Sequence, residues 1–404
     1  MEWSIGNATL PARDGRWRIE IVGEKIASVR EESALAGTPN CDALGRLVST
    51  GFVDPHVHVD KALTAERVGD AVAAVDLAAA IGAVRRLKSA FSVADVTERA
   101  RRALEMGLAH GTTSARTNCE ADPYVGLRAV HGVQAAAMQM AGRVDLQIIA
   151  FPQEGWFATP DTIEAGAAPF IEQALLAGVR IVGGNVNRRV WPSDPERQVD
   201  ASFSLAARHD CDIDYHLDNW DDPDVFTLPY VARKTIAQGW QGRVAVSHVP
   251  SLSCVSEAAA ADAIDLVRAA GISVCVLPTR IRLTRVNELM EAGVNVACGT
   301  DNMRDPFVRF GDADPLKALL LLAQITNQLH NAGLERLWQT MTGNAARMLR
   351  LAHHGLQAGG CADLVLFDAR SVPEAVLLQA PKLAVIKAGA QVAGPLRVAP
   401  HPVR

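Results

Sequence analysis

Between residues 50 and about 350, short apolar runs alternate with longer amphipathic segments, and that alternation leaves few folds open. The first run is Gly51-Phe52-Val53-Asp54-Pro55-His56-Val57-His58. Seven more follow: Thr112–Arg116, Leu146–Phe151, Arg180–Gly184, Asp212–His216, Val244–His248, Ile272–Leu277 and Val294–Cys298. Helical patterns over Val93–Leu108, Pro123–Ala141, Ile163–Ala177, Ser202–His209, Val225–Gln238 and Glu257–Ala270 separate most of them, and Pro315–Asn331 follows the eighth. Gly107, Gly178, Gly239, Gly271 and Gly293 stand where helices should end. Strand–helix alternation implies a parallel sheet, and eight such units imply an α/β fold, the (β/α)8 TIM-type barrel. An open doubly wound sheet is the alternative, but no Gly-x-Gly-x-x-Gly follows a strand and the polar residues cluster elsewhere.

The two ends have another texture. Trp17–Val22 alternates, Gly23-Glu24-Lys25 turns, and Ile26–Val29 resumes; Ala362–Phe367 and Leu383–Gly389 repeat that pattern at the far end. Residues 1–49 plus 351–404 are therefore expected to build one small β-sandwich domain, with the barrel of 50–350 inserted into it. A length of 404 residues suits such a barrel and its satellite. Hydrophobic residues at 49% and charged ones at 21% fit a globular chain, and a net charge of −5 offers no basic face to nucleic acid or anionic membrane. No apolar run is long enough to span a bilayer. The seven cysteines are scattered, odd in number and without a Cys-x-x-Cys pair, which reads as reduced thiols in a cytoplasmic protein.

Barrel enzymes carry their chemistry at the carboxyl ends of the strands. His56 and His58 end the first run one residue apart, so in a strand they project from one face, and two convergent imidazoles suit a divalent transition metal. Gln153 and Glu154 follow the third run, His216 ends the fifth, His248 the sixth, and Asp301 with Asn302 follows the eighth. A lone histidine at a strand end is more often packing than chemistry. Four histidines and an aspartate around one funnel are poorly explained by chance.

These residues carry a resemblance. Gly-Phe-Val-Asp-Pro-His-Val-His, two later strand-end histidines and Gly299-Thr300-Asp301 resemble the amidohydrolase superfamily. Arg116-Thr117, the run Asp145–Gly155 with its Phe-Pro-Gln-Glu-Gly, and Ser247-His248 look like its cytosine deaminase group. The resemblance spans essentially the whole chain. It implies that His56, His58, His216 and Asp301 hold one Zn2+ or Fe2+, that His248 assists the water this ion activates, and that Gln153 hydrogen-bonds the substrate. Three neutral imidazoles and one carboxylate leave a position for water, whose pKa a bound Zn2+ lowers to about 7. Asp301 would accept the water's proton while His248 orients it, and a ring carbon bearing an amino group would lose ammonia or an amine. Two-metal members of the superfamily use a lysine on the fourth strand, and Arg180–Gly184 has none, which favours a single ion.

The chain departs from the group in ways that bear on substrate. A glutamate expected three residues after His216 is Asn219, an amide that cannot transfer protons, and an aspartate expected after Asp301 is Asn302. A histidine usual after Arg-Thr is Asn118. Lys61 resembles a lysine of triazine-metabolising aminohydrolases in the group. Near a dication and partly desolvated, its pKa should fall, making it a usable acid in place of the glutamate; a solvated loop lysine is the blander account. Asp218 is the other available carboxylate. Trp156, Phe157, Trp191, Trp220 and Phe307 fall in the loops after strands, where rings can stack on a flat heterocycle or simply pack. Arg188 and Arg189 are either surface charge or partners for an acidic substituent. The expected function is a mononuclear metal-dependent aminohydrolase of a pyrimidine-like or triazine-like ring. A cyclic-amide hydrolase of the same superfamily and a weakened, heterocycle-binding barrel are the alternatives. The partner expected is a small heterocycle, with self-association through the apolar Leu316–Leu322 segment weighed against its burial within the subunit.

Overall fold

The computed structural model describes residues 2–33, 37–69, 77–158, 166–187, 194–219, 221–278 and 282–398. The chain opens with β1 (Glu2–Leu10), β2 (Arg13–Val22), β3 (Lys25–Glu31), β4 (Cys41–Asp42) and β5 (Val48–Thr50). Eight strands then alternate with helices: β6 (Phe52–Val57), β7 (Thr112–Glu120), β8 (Asp145–Phe151), β9 (Ile181–Val186), β10 (Asp212–Leu217), β11 (Val244–His248), β12 (Ser273–Val276) and β13 (Asn295–Cys298). They form one parallel sheet in sequence order from β6 to β13. Between the edges, Asp301 N donates to the His56 carbonyl at 2.9 Å and Val57 bridges Asp301, so the sheet curls into a nearly closed barrel. All eight runs legible in the sequence are strands of it.

The helices are α1 (Leu77–Lys88), α2 (Val93–Ala109), α3 (Arg128–Gln139), α4 (Ala168–Leu176), α5 (Pro195–His209), α6 (Leu228–Ala237), α7 (Glu257–Ala269), α8 (Val286–Glu291), α9 (Pro315–Ile325), α10 (Asn331–Trp338) and α11 (Gly343–Met348). Their apolar faces close on the outward residues of the strands in one core that includes Phe52, Val182, Ile213, Val246 and Val296. Boundaries shift in ways with physical causes. The helix read from Ser202 starts at Pro195, because Asp194 accepts from the Glu196 amide and proline suits the first turn. The helix read over Pro315–Asn331 stops at Ile325, since Asn327 adopts a left-handed φ of 56°, and His330 caps a second helix that begins at Asn331. Gly107 does not end its helix: it lies inside α2, and the turn is made by Gly111 at φ 96°. Leu316, Leu319 and Leu322 are buried in the core, leaving Leu321 exposed. No helix among the described residues is long and apolar enough to cross a membrane.

The chain ends with β14 (Leu364–Phe367), α12 (Val372–Leu377), β15 (Lys382–Lys387) and β16 (Ala390–Ala393). The order β3-β2-β1-β4 makes one terminal sheet and β16-β15-β14-β5 the other. Ile5, Ile19 and Ile21 of the first meet Val48, Leu364 and Ile386 of the second in a core of their own.

Inside the barrel the lower layer is sealed by α11, whose Ala345, Ala346 and Met348 pack on Val53, Ala245, Cys275 and Ala297. Above them Arg116 reaches across to Asp214, with Nη1 to Oδ2 at 3.0 Å, and to Gln147 Oε1 at 2.8 Å. This pair and the layer beneath it fill the lower interior of the barrel. Burial lifts the Asp214 carboxyl to about 6 even with Arg116 opposing that rise. Its protonated form therefore favours the folded chain fully below about pH 4, an advantage lost as pH rises to about 6. Arg116→Met should cost about 3–5 kcal/mol at neutral pH, the cost of stranding a buried charge. That cost should shrink as the carboxyl is protonated towards about pH 5, and chemical denaturation across pH measures both.

Candidate metal centre at the mouth of the barrel

Each first-layer side chain is placed by the end of a strand. His56 and His58 leave β6 on one face, and their Nε2 atoms lie 3.3 Å apart. His216 ends β10, with Nε2 3.3 Å from that of His58. Asp301 Oδ1 is 3.6 Å from His56 Nε2 and 3.5 Å from His58 Nε2. The four separations of 3.3–3.6 Å lie near the edge of a tetrahedral site, about 3.3 Å for Zn–N bonds of about 2.0–2.1 Å. Imidazole nitrogens and a carboxylate oxygen are the donors that zinc or iron(II) takes, so the set fits one divalent ion. His248 joins from β11, close enough to group with His56 and His216. The two triads, His56–His58–Asp301 and His56–His216–His248, share His56 and so describe one centre.

The backbone is bent to bring these groups together. His248 and Val249 are left-handed, at φ 72° and 48°, and for a β-branched valine that conformation is costly. It turns the end of β11 so that the imidazole faces the other histidines, 5.1 Å from the His216 ring centroid. Asp301 is also left-handed, at φ 64°. Gly299 permits its approach: a Cβ there would lie 2.8 Å from the His56 Cβ. Asp54 ties the same corner, accepting from Thr300 Oγ1 at 2.5 Å and Thr300 N at 3.2 Å. Ser247 Oγ meets His56 Nδ1 at 2.9 Å, and Phe151 packs on the His216 ring at 4.3 Å between centroids. Such outer partners set the orientation of the donor rings.

Electrostatics separate the histidines from Lys61. Burial, reinforced by His56, His248 and His58, holds His216 well below the usual histidine range, so it stays a neutral donor. Lys61 is 1% exposed and not a solvated loop residue. Burial pushes its ammonium down, but Asp60, Glu120 and Asp305 outweigh that and raise it above the usual lysine range. This holds for the site without an ion, where carboxylates reach Lys61 from the ends of three different strands. Its Nζ lies 2.9 Å from Glu120 Oε1, 3.3 Å from Asp60 Oδ1 and 3.1 Å from His58 Nδ1. An ammonium only donates, so His58 Nδ1 accepts and the ring hydrogen sits on Nε2.

The other sequence candidates divide. Asp218 turns away at φ 46°: its Oδ2 accepts from Thr227 N at 2.6 Å and Leu228 N at 3.0 Å, seating α6. Burial raises this carboxyl to about 7. Asn219 is half-buried beyond it. Asn302 donates Nδ2 to Asp305 Oδ2 at 2.6 Å, and Asp305 in turn accepts from the amide of half-buried Phe307. Gln153 is buried, its carbonyl accepting from Asn185 Nδ2, while Glu154 points to Lys88 at 2.6 Å. Trp156 packs in the core between strands and helices. Phe157 lies under the Arg197 guanidinium. Trp220, Trp191, Arg188 and Arg189 lie outside the described residues. β9 extends to Val186 without a lysine and places Asn185 there.

The sequence singled out Arg116 and Asn118 but missed Glu120 and the face that the three share. β7 runs four residues beyond the segment read as a strand, so Arg116, Asn118 and Glu120 share its inward face. Asn118 Nδ2 is 3.4 Å from His56 Nε2. Alternation of polar residues in Arg116-Thr117-Asn118-Cys119-Glu120 is the signal that would have found them.

Architecture and donors together define the class: a barrel hydrolase built around a site able to hold a divalent ion. The model of the Amidohydrolase family matches residues 86–393, and the chain belongs to that family. It is 32% identical over 395 residues, 95% of either chain, to the N-isopropylammelide isopropyl amidohydrolase of Pseudomonas sp. (strain ADP). It is 31% identical over 363 residues to the pterin deaminase of Rhizobium rhizogenes, covering 84% of this chain and 78% of that one. The crystal structure of 5-methylcytosine deaminase from Klebsiella pneumoniae, liganded with phosphonocytosine, is similar with a TM-score of 0.88 at 28% identity, over 99% of this chain and 100% of that one.

A divalent ion at His58 Nε2 displaces the hydrogen held there. Zinc uptake at neutral pH should therefore release about one proton from the Lys61–His58 pair, read as the dependence of calorimetric binding heat on buffer ionisation. Affinity should weaken as pH falls, and His58→Ala should lose both the tight binding and the proton.

Proposed function

We propose that this chain is a mononuclear metal-dependent aminohydrolase that replaces an amino or alkylamino substituent of a nitrogen heterocycle by oxygen from water. The observation that carries the reading is the convergence of three Nε2 atoms and Asp301 Oδ1 at the open end of the barrel, with His58 3.3–3.5 Å from each of the other donors. In it His56, His58, His216 and Asp301 hold one Zn2+ or Fe2+, since imidazole and carboxylate suit either. The bound ion supplies a Lewis acid that makes water a nucleophile at neutral pH. The relatives named for ammelide, pterin and 5-methylcytosine support a flat, electron-poor ring as substrate. The scattered thiols support a cytoplasmic setting.

The chain's own groups divide the remaining work. Asp301 takes the proton from the attacking water and hands it to the departing nitrogen. His248, bent over the centre, steadies the oxygen as it gains charge. Gln153, Asn219 and Asn302 offer amides to the ring edge, and Phe307, with Trp220 from the sequence, supplies an aromatic wall. Lys61, held protonated by carboxylates, orients His58 instead of shuttling protons. Bookkeeping closes: water adds at the ring carbon, the C–N bond breaks, and an amine leaves with the transferred proton.

Asp301→Asn should lower kcat by about 10²–10⁴-fold, the usual contribution of a positioned general base. His248→Ala should do likewise with the ion still bound. Ammonia and amine release against aminated triazines, pyrimidines and pterins measures this. A wild-type protein with its ion bound that releases neither from any ring would sink the reading.

A further inference from the structure

Lys88 is not required by the reaction just described, yet it is the most elaborately partnered cation in the described chain. It ends α1, the helix after β6, and is 1% exposed. Its Nζ lies 2.6 Å from Glu120 Oε2, 2.5 Å from Asp122 Oδ2 and 2.6 Å from Glu154 Oε1. These carboxylates come from the end of β7 and the loop after β8. Arg85, one turn earlier on α1, takes Glu154 Oε2 with its Nε at 2.9 Å. A buried ammonium is costly unless fully paired, and this one is paired on three sides.

Glu120 links that cluster to the centre. Its Oε2 serves Lys88, its Oε1 lies 2.9 Å from Lys61 Nζ, and Lys61 Nζ reaches His58 Nδ1 at 3.1 Å. An unbroken ladder of alternating charge thus runs from a helix to the back of an imidazole whose front faces the ion site. Burial pushes the Glu120 carboxyl up, but Lys61 and Lys88 together bring it down to about 2, so it remains an anion with two cations to hold.

We propose that Lys88 is a positioning residue for the aminohydrolase reaction: by sharing Glu120 it fixes Lys61 against His58 and so sets the orientation of that ring. This inference rests on the proposed function. Without Lys88, Glu120 keeps a single cation and draws Lys61 towards itself, and His58 loses its fixed partner. Lys88, Glu120 and Lys61 stand behind His58, on its Nδ1 side, so turnover is affected more than substrate affinity.

The test uses Lys88→Met, Glu120→Gln and the double variant, each loaded with Zn2+ for kinetics and with Co2+ for visible absorption. Each single change should lower kcat per bound metal by about tenfold or more with KM within about threefold. The double variant should be within about threefold of the worse single one, because both act along one path. The cobalt bands of both single variants should shift from wild type. Losses that multiply in the double variant overturn the inference. So do unchanged kcat and cobalt bands in a variant that is merely less thermostable, which is how a simple strut would behave. If Lys88→Met does not fold, Glu120→Gln decides by the same two readouts, since it keeps a neutral acceptor between the lysines. A wild type without turnover fails the aminohydrolase reading, and the cobalt bands then decide the ladder alone.

Discussion

The structure depends on how β6 meets β13. A parallel sheet of eight strands has two raw edges, and here they are joined by the amide of Asp301 on the carbonyl of His56 and by Thr300 on Asp54. One short seam therefore closes the barrel and places a carboxylate beside two imidazoles. Gly299 is what lets the backbones come so near, and the left-handed Asp301 is what turns its side chain inward. Folding and site assembly are a single event at this seam. Strain of about 1–3 kcal/mol per outlying residue persists only where the surroundings fix it, and the packed barrel supplies that rigidity.

The second constraint is charge. Five carboxylates, Asp60, Glu120, Asp122, Glu154 and Asp305, crowd around Lys61, Lys88 and Arg85 near the mouth. Burial raises Asp305 to about 7 despite Lys61, so not all of these carboxyls are at ease as anions. A dication nearby relieves the excess of negative charge, which is a physical reason for a divalent ion to bind at this end of the barrel. The lysines keep the carboxylates from competing with Asp301 as ligands. Acidic residues around the ion site thus act as a holding frame for cations.

The barrel was legible because apolar runs and amphipathic segments have different periods, and eight repetitions average out local error. Strand-end histidines were legible because position on a strand fixes the face. Lys88 was not. Arg85-Arg86-Leu87-Lys88 reads as the solvated basic end of a helix, and only three carboxylates brought by other strands make burial of its last residue tolerable. The carboxylates around Lys61 were not legible for the same reason: segments distant in sequence supply Glu120 and Asp305. Asp218 is the opposite case: two residues after His216 it could share that face or be turned away, and a local left-handed turn takes it away to seat α6. Periodicity reports on elements, and the charges between elements are set by packing that no single segment encodes.

The amide at 219 then bears on which ring suits the site. Where a carboxylic acid stands in that place, it can protonate a ring nitrogen while a second group serves the leaving amine. Here Asp218 is engaged with the amides of α6, Lys61 is held behind His58, and Asn219 and Asn302 offer hydrogen bonds without exchangeable acidity. In the proposed mechanism one proton, taken from water by Asp301, is what these residues move. A reaction that needs a single proton delivered to the leaving nitrogen is compatible with that supply. An alkylamine is basic enough to capture the proton by itself, and a triazine with several ring nitrogens is electron-poor enough to be attacked without ring protonation. The proposed mechanism therefore favours an alkylamino-substituted, nitrogen-rich ring over cytosine.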